Sequence, residues 1–323
     1  MLSRRTFAAA LAVSGCAALG WTAAGQELKT VAVTAIVEHP ALDAARHGIK
    51  DELAAAGYEA GHNLDVRFES AQGNPATAAQ IARTFIDAAP DVIVPISTPS
   101  AQAVVSATRE IPVVFTAVTD PLGARLVPNL ERPGGNVTGI SDLSPIGLHL
   151  DLIREIAPGT GRLGVIYNPG EPNAVALVEL IGREAPARHL QIVEAVATRS
   201  GDVLPAAQSL VGNVDAIYVP TDNTVVAALE AVIEVGTNHR LPVFAGDINA
   251  VPRGAIAALG FNYYDLGRQT GKIVLRVLTG ADPGDIPVEG VQITELYVNP
   301  GAAAAMGVRI PPAMLERAKV VVK

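Results

Sequence analysis

A chain of 323 residues is long enough for two domains with sizeable cores. Apolar residues make up 49% and charged residues 17%, and 30 glycines and 23 prolines are spread along the chain, which excludes a disordered or low-complexity protein. The formal net charge of −8 argues against nucleic acid or an anionic membrane as partner, and a single cysteine, Cys16, excludes a disulfide framework.

Residues 1–25 read as an export leader. Arg4 and Arg5 form a basic start, Phe7 to Gly20 is uncharged and apolar but too short to span a membrane, and Thr22 to Gly25 are small residues suited to cleavage. Ser3-Arg4-Arg5-Thr6-Phe7 resembles a twin-arginine signal, which leaves the export route open. Val13-Ser14-Gly15-Cys16 resembles a lipoprotein box with Cys16 as the lipidated residue, but Ala17 to Trp21 stays apolar, which favours cleavage near Gly25. Loss of Arg4 and Arg5 with no acid takes the charge from −8 to −10 and leaves a mature chain without cysteine.

Beyond the leader the hydrophobic period alternates between short β-rich runs and longer amphipathic stretches. Strands are predicted at 30–37, 64–69, 91–96, 112–118, 162–167, 191–197, 214–219 and 242–246. Between them the spacing predicts helices near 41–57, 75–88, 100–109, 145–157, 173–186, 203–211 and 224–239. Alternation of this kind implies parallel, doubly wound α/β sheets. The pattern runs twice, over 29–140 and 161–260, so two similar lobes are expected. Pro133 to Gly139, rich in turn formers, reads as the join. Leu259 to Tyr264 reads as a second crossing, followed by a helix over 264–279, and two or more crossings make a hinge rather than a tether. The lobes are then expected to comprise 27–142 with 263–290, and 143–262 with 291–323.

In open parallel sheets ligands bind beyond the carboxyl ends of the strands. The residues there are Glu38-His39-Pro40, Ser97-Thr98-Pro99-Ser100, Thr119-Asp120, Asn168 to Glu171, Thr221 to Thr224, and Gly246-Asp247. Ser97, Thr98 and Ser100 offer hydroxyls at a helix start, a place that suits a carboxylate, and Asp222 offers an acid from the other half for an ammonium. Each also fits plain N-capping, of a helix over 100–109 and of one beginning near Thr224. His39, Pro40, Phe261 and Tyr263 can supply an apolar or stacking wall.

Enzyme signatures are poor. There is no G-x-G-x-x-G after the first strand, no Walker loop and no G-x-S-x-G elbow, and the six histidines show no metal-ligand spacing. No catalysis, cofactor or metal is expected; Asp222 or Asp247 as a general base is the enzymatic alternative.

The chain resembles the ABC transporter substrate-binding proteins of the tryptophan/tyrosine type from Lys29 to Ala318. The segments that carry the likeness are Ile36 to Asp43, Ala71 to Pro75, Pro112 to Pro121, Asn136 to Asp142, Tyr167 to Ala174, Asp222 to Val225 and Gly260 to Tyr264. The resemblance implies a type I periplasmic binding protein fold, monomeric and periplasmic, that holds an aromatic or large apolar amino acid and hands it to a membrane permease. It implies that Ser97, Thr98 and Ser100 take the carboxylate, that Asp222 and Asn223 take the ammonium, and that Glu38, His39 and Pro40 shape the side-chain pocket. Asn168, Glu171 and Asn173 would close from the second lobe. Asp247 stands in a loop that relatives fill with less polar residues, so the ligand side chain stays open. A binding protein that presents its closed form to a receptor would share this fold.

Overall fold

The computed structural model describes residues 28–291 and 294–322. The leader read over 1–25, with Cys16, lies outside them. The first sheet is built from β1 (Lys29–Ala35), β2 (Leu64–Ser70), β3 (Val92–Ile96), β4 (Val113–Val118) and β5 (Val137–Ser141). The second starts with β6 (Arg162–Tyr167), β7 (Gln191–Val196), β8 (Ala216–Val219), β9 (Val243–Ala245) and β10 (Ala257–Gly260). Two-residue β11 (Glu289–Gly290) returns to the first sheet, and β12 (Glu295–Val298) and β13 (Val320–Val321) complete the second.

The strand orders are β2-β1-β3-β4-β5-β11 and β7-β6-β8-β9-β10-β12-β13, so the same doubly wound order occurs twice. All pairings are parallel except that of β10 with β12. Both faces of the first sheet are covered, which is why its strands read as continuous apolar runs. Val31, Val33 and Ala35 pack beneath helices α1 (Pro40–Ala55) and α9 (Tyr263–Leu278), while Ala32 and Ile36 face α2 (Pro75–Asp87) and α3 (Thr98–Ala107). The second sheet is sandwiched by α4 (Ile146–Ile156), α5 (Pro172–Glu184), α6 (Val203–Leu210), α7 (Asn223–Ala227) and α8 (Leu229–His239) in one large core. Short α10 (Pro300–Ala305) and α11 (Pro312–Arg317) pack on it through Ala303 and Met314.

The join read at 133–139 is corrected: Val137 to Gly139 belong to β5, and the chain passes to the second sheet after Ser141. It returns through Phe261 and Asn262 after β10, and crosses a third time between Gly290 and Glu295. The helix expected over 224–239 is two, broken at Ala228, whose backbone (φ −119°, ψ 29°) leaves the helical region. No glycine or proline marks that break. It arises because α7 is anchored by carboxylates in the cleft while Leu229, Val232 and Val235 of α8 are drawn into the core.

α1 and α9 pack closely enough that a Cβ on Gly48 would collide with the Tyr264 carbonyl, and one on Gly267 with the Ala45 carbonyl. This contact fixes α1, which follows His39, against α9, which begins at Tyr263. Among the described residues no helix is long and apolar enough to cross a membrane.

Candidate ligand site

The carboxyl ends of both sheets face each other at their switch points, β1/β3 and β6/β8, and a cavity of about 340 Å³, counted to its mouth, lies between them. The first lobe contributes His39, Ser97, Thr119, Asp142 and Tyr263 to its wall, and the second contributes Asn173, Thr221, Asn223 and Asp247. Apolar patches come from Ala41, Leu42, Ala117 and Val226.

Two of the helix starts at the cavity carry no side-chain cap. Asn74 caps α2 and Asn262 caps α9 through side-chain oxygens, but His39 and Ser97, at the N-caps of α1 and α3, make no such bond. The capping alternative for Ser97 therefore does not hold. The first intrahelical bond of α3 is Ala101 N–H to Ser97 O at 3.0 Å, so the Thr98 and Ser100 N–H groups have no carbonyl within the helix. Pro99 has no N–H to offer. Ser97 adopts φ 77°, ψ 158°, a region that costs a residue with a side chain about 1–3 kcal/mol. A bond from its N–H to Thr116 O at 2.9 Å holds it there. Its Oγ is buried and unpartnered, as is that of Ser100 one turn further in. Ala117, also at positive φ (53°), lines the same wall where the β4/β5 register shifts. Ser97 and Ala117 thus bring two of the seven positive-φ non-glycine residues among the described residues to the cavity wall.

Two acids also line the cavity. Asp247 accepts from Asn249 N and Nδ2 through Oδ1, both at 2.9 Å, while its Oδ2 is buried and takes no protein donor. Asp142 accepts from Tyr263 Oη at 2.8 Å and from Thr119 Oγ1 at 3.5 Å. Burial raises the pKa of Asp247 and pushes that of Asp142 up to about 6. Behind Asp247, Gly246 packs against Tyr218 Oη, which pairs with His149 Nδ1 at 2.6 Å. Burial takes the pKa of His149 down to about 4, so this support is a neutral pair at pH 7.

Asp222, expected at the ligand, is engaged by protein donors. Its Oδ2 accepts from Asn168 N at 2.6 Å and its Oδ1 from Val225 N at 2.8 Å, and it does not line the cavity. Burial and the neighbouring Glu171 push its pKa up. Glu171 is likewise saturated. Its oxygens accept from Asn223 N (3.1 Å) and Nδ2 (2.5 Å), Thr224 N (3.0 Å) and Oγ1 (2.6 Å), and Asn173 Nδ2 (3.3 Å). Asn168 bonds Thr224 Oγ1 at 2.9 Å and stays out of the wall. Glu38 and Pro40 are exposed and absent from the wall. Asp120 closes a turn with Gly123 N at 2.9 Å and, like Thr98, lines an outer groove between the lobes. Phe261 is buried but does not line the cavity, whereas Tyr263 does. Sequence reasoning missed Asp142 as a site residue, because the strand that delivers it was read as a turn. Among the described residues no group of three or more His, Cys, Asp or Glu is placed to hold a metal ion.

Residues 30–322 match the model of a family described as ABC transporter substrate binding protein. The chain is similar to a protein named tyrosine-binding protein from Clostridioides difficile (strain R20291), 39% identical over 278 residues, 86% of this chain and 81% of that one. It is similar to an ABC domain from Streptococcus pneumonia solved in complex with L-Trp, at 32% identity and a TM-score of 0.88 over 92% of this chain and 100% of that one. A substrate binding protein with adhesive properties from Clostridium difficile, solved in a ligand-free, open form, is 38% identical with a TM-score of 0.69 over 92% and 99%.

Proposed function

The chain belongs to the ABC transporter substrate-binding protein family, and from that premise we propose that it is exported, captures an aromatic or large apolar α-amino acid between its lobes, and presents the closed form to a membrane permease. The observation that carries this reading is the pairing of unmatched groups across the cavity. Ser97 Oγ and the uncapped start of α3 suit a carboxylate, and Asp247 with Asp142 suits an ammonium. Tyr263 and the apolar patches suit a ring. The ligands named for the two relatives, tyrosine and L-Trp, are of that kind.

Closure follows from electrostatics. The higher similarity to the L-Trp complex than to the open form supports reading the lobes as closed. Closing them buries Asp247 Oδ2 with no protein donor, which costs several kcal/mol for an unpaired charge. A ligand ammonium offsets that cost only in the closed form, and this differential affinity shifts the population. The three crossings act as the hinge. The role is capture without catalysis, in the periplasm, after removal of the leader.

Titration calorimetry tests the reading. L-tyrosine, L-tryptophan and large apolar amino acids should bind, and N-acetylation or amidation of the carboxylate should each remove most of the affinity. Binding of a sugar or purine in place of every free amino acid would overturn the ligand assignment.

A further inference from the structure

His39 brings an imidazole to the cavity wall, where the Asn223 side chain of the opposite lobe is its polar neighbour. The orientation of that amide is fixed from behind. Asn223 Nδ2 donates to Glu171 Oε2 at 2.5 Å, and a carboxylate only accepts, so the NH₂ faces Glu171 and Oδ1 is the atom left for other partners. Asn173 Nδ2, Thr224 N and Thr224 Oγ1 hold Glu171 in place at 3.3, 3.0 and 2.6 Å. Toward His39, then, Asn223 presents an acceptor.

Burial, with Arg253 nearby, takes the pKa of His39 down to about 4, so at neutral pH the ring is uncharged and carries one N–H. The acceptor available to that N–H across the cavity is Asn223 Oδ1. The other nitrogen, Nδ1, is left as an acceptor; it is buried, takes no capping bond from α1, and no protein donor reaches it. The strand order β5-β4-β3-β1 puts the end of β1, which His39 follows, three strand spacings, about 14 Å along the sheet edge, from the end of β5, which Asp142 follows. Asp142 and the imidazole thus follow well-separated strands of the first sheet, with Ser97, after β3, between them.

Building on the amino-acid reading above, we infer that His39 Nδ1 determines specificity: it accepts a hydrogen bond from a donor on the ligand ring, selecting the phenol of tyrosine or the indole N–H of tryptophan and rejecting phenylalanine. A ring without a donor leaves Nδ1 buried and unpaired, and a site with an unpaired buried group discriminates far more strongly than an apolar pocket does.

The test is calorimetric titration of the full chain with L-tyrosine, L-tryptophan and L-phenylalanine. Tyrosine should bind at least tenfold tighter than phenylalanine. His39→Leu should bring that ratio close to one, chiefly by weakening tyrosine, and His39→Asn, which keeps an acceptor, should retain part of it. Equal binding of tyrosine and phenylalanine by the unmutated chain overturns the role of His39 while leaving the amino-acid reading intact, and this outcome needs no variant to fold. A folded His39→Leu variant that keeps the parent's ratio also overturns it. Binding of none of the three overturns both.

Discussion

Replacing Ser97 separates backbone strain from ligand contact. At an ordinary position a change from alanine to glycine lowers stability by about 0.5–1 kcal/mol, because glycine has more freedom to lose. At φ 77°, ψ 158° the order should reverse. A side chain there costs about 1–3 kcal/mol that glycine does not incur, so Ser97→Gly should exceed Ser97→Ala by up to about 2 kcal/mol. Both variants lose the buried, unpartnered Oγ, so whatever its removal contributes cancels in the comparison. Both also lose a hydroxyl that donates to the ligand carboxylate, a charge-assisted bond worth about 1.5–3 kcal/mol, or roughly 10- to 150-fold in affinity. Urea unfolding without ligand gives the first quantity, and calorimetry with tyrosine gives the second. A glycine variant less stable than the alanine variant would refute the strain argument, and parental affinity in both would refute the contact.

Asp247→Asn should weaken amino-acid binding by about 2–5 kcal/mol by calorimetry, without lowering the unliganded melting temperature. Asp222→Asn should do the reverse: its two acceptor bonds to backbone N–H groups fix the start of α7, so stability should fall by about 1–3 kcal/mol with a smaller change in affinity. Asp142, buried with its pKa raised to about 6, holds a proton in the closed form between pH ~4 and ~6 that the unfolded chain has released. The native state then binds more protons, so its contribution is present at low pH and is lost as pH rises through that window, at roughly 1.4 kcal/mol per unit. An ammonium ligand reverses this preference, so calorimetry should show affinity rising from pH 5 to pH 7. Gly267→Val should drive α9 away from α1, lowering stability and displacing Tyr263, as near-ultraviolet circular dichroism would report. Intact mass of the exported protein should correspond to a chain beginning at Gln26, whereas a lipidated Cys16 would move the cleavage site.

The doubly wound class was legible because β1, β3, β4, β6 and β8 are apolar on both faces and alternate with amphipathic helices. Strand β5 was not, because its sequence, Val-Thr-Gly-Ile-Ser, follows Pro-Gly-Gly-Asn and carries a glycine of its own. Gly139 is there because a Cβ would collide with Phe115 on the neighbouring strand, a tertiary cause with no local signature. The loops that meet at the cavity follow from topology, so His39, Ser97, Thr119, Asn173, Asn223 and Asp247 could be named from their places after strands. Which acid points inward is decided by backbone geometry. Asp222 and Asp247 both follow strands and both accept from nearby backbone N–H groups, yet only Asp247 retains an oxygen with no protein donor. Ser97, Thr98 and Ser100 show the same limit: Ser97 alone of the three lines the cavity, because positive φ turns it there.

A crystal structure of the chain with L-tyrosine bound tests the central claim most directly. The account predicts the ligand between the lobes, its carboxylate on Ser97 and the start of α3, and its ammonium on Asp247 and Asp142. An ammonium held by Asp222, or a ligand seated outside the cavity between the lobes, would contradict it.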